Sequence, residues 1–115
     1  MKYAILAIKA VLTLAFVAAG LSKLAGVEMM VATFDAIGVG QWFRYVTGVI
    51  EVVAPILLWI KGREAIGAAA LVVTMIGAVI AHLAILGPSA VPALVLGILA
   101  AVVLWHHKDG LGTSA

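Results

Sequence analysis

Arg44-Tyr45-Val46-Thr47-Gly48-Val49-Ile50-Glu51-Val52-Val53-Ala54-Pro55-Ile56-Leu57-Leu58-Trp59-Ile60 is an apolar run with a carboxylate near its middle. An ionised side chain at bilayer depth costs about 2.5–3.5 kcal/mol or more, so Glu51 demands a counter-ion, a proton or a function. The rest of the chain says whether the run belongs in lipid. Of its 115 residues, 66% are hydrophobic and 10% charged, and the mean hydropathy is +1.30. A soluble domain carries about 25% charged residues. The composition is that of an integral membrane protein.

Four segments, 3–21, 42–60, 65–86 and the shorter 90–105, are apolar enough to cross about 30 Å of hydrocarbon at about 1.5 Å per helical residue. Backbone groups find no partners in lipid, which predicts helices, and the segments lack the alternation of barrel strands. The expected fold class is all-α: a polytopic four-transmembrane-helix bundle forming one domain over 1–115. Met1-Lys2 followed by apolar residues superficially resembles a secretory leader, but Lys9 interrupts it and three more spans follow, so the first span reads as a retained helix. The breaks are 24–40, Lys61-Gly62-Arg63-Glu64 and Gly87-Pro88-Ser89. Within the first, apolar residues at 27, 30, 31, 34 and 37 have helical spacing, which predicts a short amphipathic helix lying over the outer end of the bundle.

Lys2, Lys61, Arg63 and Lys108 fall on the side shared by the two termini, and Lys23 and Arg44 on the other. The positive-inside rule then places both termini in the cytoplasm of a multi-pass protein of the cell (inner) membrane. Trp42, Trp59 and Trp105 stand at span ends, where amphipathic rings anchor to head groups.

With no cysteine in the chain, disulfides, iron-sulfur centres and protein thiol chemistry are excluded. The net charge of +2 is carried by scattered cations, which gives no surface for nucleic acid. No phosphate loop, zinc spacing or Ser-His-Asp order occurs, so no catalytic residue is assigned and an enzyme in its own right ranks below the binding, assembly and transport roles set out below. Adjacent His106 and His107 point in different directions on a helix and do not predict a metal site. A bis-histidine haem needs two ligands at one depth, whereas His82 and the pair at 106 and 107 lie toward opposite membrane faces.

The polar residues form stripes. Lys9, Thr13, Phe16, Gly20 and Lys23 share one face of the first helix, Arg44, Thr47, Glu51 and Pro55 one face of the second, and Ala70, Thr74, Ala78 and His82 one face of the third. The fourth has only Ala93, Gly97 and Ala101, a small-residue seam suited to close packing within one chain or between copies in a homo-oligomer. Lys9, near the cytoplasmic end, is expected to snorkel to head groups. Pro55 is expected to kink its helix and free the carbonyl of Glu51. Glu51 lies about 13 Å and His82 about 6 Å below the outer ends of their spans. Side chains lean toward their helix N-terminus, so in antiparallel helices these two lean toward one another.

The expected candidate ligand-binding residues are therefore Glu51, His82, Lys23 and Arg44 in the outer half, with Thr47 and Thr74 on the same stripes. Four roles fit them. One is a pocket for a lipid, a quinone or another small amphiphile, with apolar walls and a few polar groups. Another is an assembly partner for other membrane proteins. A third is proton-linked transport through Glu51 and His82. The fourth is structural: Glu51 protonated, or paired with Arg44 or Lys23 as glue between helices.

Gly20-Leu21-Ser22-Lys23-Leu24, Phe34 with Ile37-Gly38, Gly48-Val49-Ile50-Glu51-Val52 and Ala81-His82-Leu83, in this order over nearly the whole chain, resemble the DoxX-like family of small four-helix membrane proteins. Gly20, Lys23, Gly48, Glu51 and His82 are the positions shared with the family pattern; Arg44 comes from spacing alone. From Ala81-His82-Leu83 through Gly87-Pro88 to Leu96-Gly97-Ile98-Leu99 the chain also looks like the branch containing the nicotinic acetylcholine receptor assembly chaperone, which implies help in assembling membrane proteins. Other members resemble the small subunit of a thiosulfate:quinone oxidoreductase, which implies a quinone cofactor or an accessory redox role. The resemblance bears on fold more firmly than on chemistry.

Overall fold

A computed structural model describes residues 2–86 and 90–108. Among them are five α-helices and no strand: α1 (Lys2–Ala25), α2 (Glu28–Ile37), α3 (Gln41–Leu57), α4 (Glu64–Ala81), which continues as a π-helical turn over His82–Leu86, and α5 (Val91–His107). The break at Gly87-Pro88-Ser89 lies outside the described residues.

The helix ends differ from the hydropathy boundaries where backbone chemistry intervenes. α1 runs past residue 21 to Ala25 because its stop signal is Gly26, whose φ of 72° costs a glycine nothing. The N–H of Gly26 donates to the Lys23 carbonyl at 3.3 Å and that of Val27 to the Ser22 carbonyl at 3.2 Å, a Schellman stop. α3 ends at Leu57, two residues after Pro55, rather than at 60. The N–H groups of Leu58 and Trp59 donate three residues back, to Pro55 and Ile56, at 3.1 and 3.0 Å, so the chain tightens into turns before α4.

α1 packs on α3 and α4 on α5, and the two antiparallel hairpins meet through α3 with α4 and α1 with α5. The α1–α3 seam closes on two glycines. A Cβ on Gly20 would stand 2.7 Å from the Gly48 carbonyl oxygen, and one on Gly48 would stand 3.1 Å from that of Gly20. Such small residues let backbones approach where side chains would hold them apart. Leu12, Phe16, Leu58, Leu71, Ala100 and Val103 fill the centre of the bundle. α2 buries Phe34 and half-buries Met30, Val31 and Ile37, the face its spacing predicts, while Val27 is exposed.

The outward faces are as apolar as the interior: Leu14, Val73 and Leu83 are 76%, 68% and 77% exposed. Tyr3–Ala25 and Glu64–Ile85 are long and apolar enough to cross a membrane, and Val91–His107 is apolar but shorter. The bundle measures 39 × 23 × 23 Å, and a bilayer with its head groups is about 40–45 Å thick.

Candidate functional site

Glu51 sits on the inward face of α3, where it is 3% exposed. Its carboxylate Oε1 lies 2.6 Å from Nζ of Lys23, which reaches across from the last turn of α1. The glycine seam one turn away from each residue brings the two backbones close enough for this contact. A lysine in the last turn of a helix also sits at the negative end of its dipole. The demand that Glu51 makes on the fold is thus met by one short ion pair between two helices.

Arg44, one-twentieth exposed and two turns before Glu51, adds a second cation. Its Nη1 donates to the carbonyl oxygen of Lys23, so the guanidinium caps the C-terminus of α1. Its Nε donates to Oε1 of Gln41 at 2.7 Å, and the plane lies 4.4 Å from the centroid of the Tyr45 ring. Gln41 in turn donates through Nε2 to the Val31 carbonyl at 3.0 Å and to Oδ1 of Asp35 at 2.8 Å. A single network therefore runs from exposed Asp35 on α2 through Gln41 and Arg44 on α3 to the end of α1. Gln41 and Asp35 were not among the sequence candidates, because neither interrupts an apolar run.

One largely buried cation, Lys23, pairs with the buried Glu51, and a second, buried cation, Arg44, bonds to the backbone of the first. The Lys23 ammonium has three donors, one of them given to Glu51. The guanidinium has five, and two are engaged in the bonds described. Donor capacity is left over beside an apolar helix seam.

His82 is placed differently. It opens the π-helical turn that packs against α2, and its Nδ1 donates to the Ala78 carbonyl at 2.8 Å. Among the described residues no hydrogen bond or ion pair joins His82 to Glu51. Thr47 and Thr74 donate to the carbonyls of Phe43 and Ala70, four residues back, at 2.9 and 2.7 Å. Such back-bonding satisfies a hydroxyl within its own helix. The structure thus gathers Lys23, Arg44 and Glu51 into one cluster and leaves His82, Thr47 and Thr74 bonded to their own helix.

The opposite end of the bundle holds a residue read from sequence as snorkelling. Lys9 points inward and is 8% exposed, with its Nζ 5.9 Å from the centroid of the Trp59 ring. Its neighbours on the face, Ile5, Leu12 and Phe16, are core residues, and that pattern was the signal available in the sequence.

Fold and site together define a small all-helical protein with membrane-compatible helices and a charged pair buried between α1 and α3. The chain belongs to the DoxX-like family, which it matches over residues 7–105. Among curated proteins and solved structures, nothing matches it.

Proposed function

We propose that this DoxX-like chain is a multi-pass membrane protein with four spans, α1, α3, α4 and α5, and with both termini on the cytoplasmic side. In this reading α2 lies across the outer end, and the Lys23–Glu51–Arg44 cluster receives the polar head of a lipid, a quinone or a related amphiphile. The protein then acts as a binding or accessory component and not as an enzyme. The observation that carries the reading is the buried ion pair at 2.6 Å with a second buried cation beside it. An excess of hydrogen-bond donors suits a ligand whose head offers acceptors, such as a quinone carbonyl or a phosphate oxygen, and whose tail is apolar.

Organic extraction and mass spectrometry of the purified chain test this directly. One amphiphile is expected in near-stoichiometric amount from the wild type and at least tenfold less from Lys23→Met/Glu51→Leu, which keeps the seam filled. Equal recovery from both would leave the cluster with a purely structural role.

An assembly role has its own support in the groove between α4 and α5. It has a volume of about 260 Å³ and is lined by apolar side chains around Ala93, Gly97 and Ala101. Reproducible crosslinking of one membrane partner to Gly97→Cys, with no amphiphile recovered, would favour that role.

A further inference from the structure

We propose that the pocket around Lys23, Arg44 and Glu51 selects a phosphate-bearing, anionic head group over a neutral one such as a quinone, and that Arg44 makes the selection. The inference rests on the binding role proposed above and adds the charge of the ligand. Lys23 and Glu51 neutralise one another across 2.6 Å. Arg44 is 5% exposed, and among the described residues no carboxylate oxygen lies within 4.0 Å of its nitrogens. The groups it bonds or stacks on are uncharged: the Lys23 carbonyl, Oε1 of Gln41 and the Tyr45 ring. Asp35 is joined to it only through the Gln41 amide and is itself exposed, where solvent and salt screen its charge. A guanidinium does not shed its charge by losing a proton. One positive charge therefore stays buried beside the α1–α3 seam without a counter-ion, and a buried charge calls for one.

The local geometry fixes where that counter-ion goes. The Gln41 amide has one workable orientation: its Nε2 faces two acceptors, the Val31 carbonyl and Asp35 Oδ1, so its Oε1 faces the guanidinium Nε. Gly26 sets bare backbone beside Nη1, where a Cβ would stand 3.4 Å away. With Nε and Nη1 held by protein, the two N–H groups of Nη2 are given to nothing among the described residues. Nη2 is not sealed off either, because the buried side-chain nitrogen or oxygen without a partner among those residues is Nε2 of His107. A pinned guanidinium with a free, reachable edge suits an anionic oxygen, which it binds by a charge-assisted bond about twice as strong as a neutral one. A quinone carbonyl would accept from the same edge and leave the charge unanswered. Phosphate is the anion of lipid head groups, and the four-span reading sets the first turn of α3 at their level.

The phosphate is carried by an amphiphile or is free in solution, and separate arms distinguish the two. The full chain, in a phosphate-free maltoside detergent, is titrated with dioctanoyl-phosphatidylglycerol, with decylubiquinone, and with dioctanoylglycerol, which has the same tails and no phosphate. Native mass spectrometry reads the occupancy. Phosphatidylglycerol is expected to bind at least tenfold more tightly than either neutral amphiphile. That preference should vanish in Arg44→Met, persist in Arg44→Lys, which keeps the charge, and stand unchanged in the exposed-cation control Lys61→Met. A general loosening of the fold would lower all three affinities together and leave their ratio intact. Inorganic phosphate that displaces phosphatidylglycerol at equal concentration assigns the site to a free anion, and failure to displace it assigns the site to the lipid. Equal affinities in the wild type, or a preference that survives Arg44→Met, overturn the proposal and leave the pocket to a neutral amphiphile. Binding that also ignores Lys23→Met/Glu51→Leu overturns the pocket itself.

Discussion

At the residue scale the chain is governed by how few charges it buries and how each is met. Glu51 and Lys23 are 3% and 12% exposed along their side chains, so removing either leaves the other without compensation in a low-dielectric seam. Breaking a buried pair from one side costs about 3–5 kcal/mol, whereas replacing both partners by apolar residues is often neutral. Glu51→Leu and Lys23→Met are each expected to lower unfolding stability by that amount in micelles, and the double variant to recover most of it. A double-mutant cycle from denaturant titrations checks this, and additive losses would show that the pair is not coupled. The need for a partner was legible in the sequence, because a carboxylate amid apolar residues cannot stand alone. Which cation supplies it was not, since spacing puts Lys23 and Arg44 at the same expected level and only the geometry of the seam decides. Gln41 stayed hidden for a related reason: a polar residue at a helix start is ordinary until its partners are known.

At the scale of elements the glycines separate into those that set a helix contact and those that do not. A Cβ at Gly20 would meet the Gly48 carbonyl oxygen and Val52 Cγ2, both at 2.7 Å, while one at Gly77 meets nothing within 4 Å. Gly20→Ala is therefore expected to part α1 from α3 and cost about 1–3 kcal/mol. Gly77→Ala should be neutral or stabilising by about 0.5–1 kcal/mol, from helix propensity alone. Thermal unfolding of the two variants side by side checks the contrast, and equal losses would contradict it. Hydropathy located the helices but not their ends: it took no account of the Gly26 stop, of the lost N–H at Pro55, or of the π-helical turn at His82. That turn does not decide the expected convergence of His82 with Glu51. At the histidine the backbone is still α-helical, with φ −66°, ψ −44° and its N–H on the Ala78 carbonyl; what spacing did not carry is that the ring itself donates to that same carbonyl.

At the scale of the whole molecule the bundle is apolar on its outside and polar at its two ends. Its 39 Å length is close to the roughly 40–45 Å of a bilayer with head groups. The native chain contains no cysteine, so single cysteines report topology without background. Lys61→Cys and Lys108→Cys are expected to react with a membrane-impermeant maleimide only after the cytoplasmic side is opened, and Val39→Cys from outside. Labelling of Val39→Cys and Lys61→Cys from the same side would refute four spans.

The salt bridge across the glycine seam also constrains how the protein is made. α3 bears Arg44 in its first turn and Glu51 near its middle, and it follows an apolar α1 that meets the length and hydropathy requirement unaided, which α3 does not. On the four-span reading proposed above, Lys23 neutralising the acid and the arginine taking the carbonyl at the end of α1 are expected to let the two segments enter the bilayer more readily as a preassembled hairpin than one after the other. On that reading the pairing of residues 23 and 51 would be the earliest committed step of biogenesis.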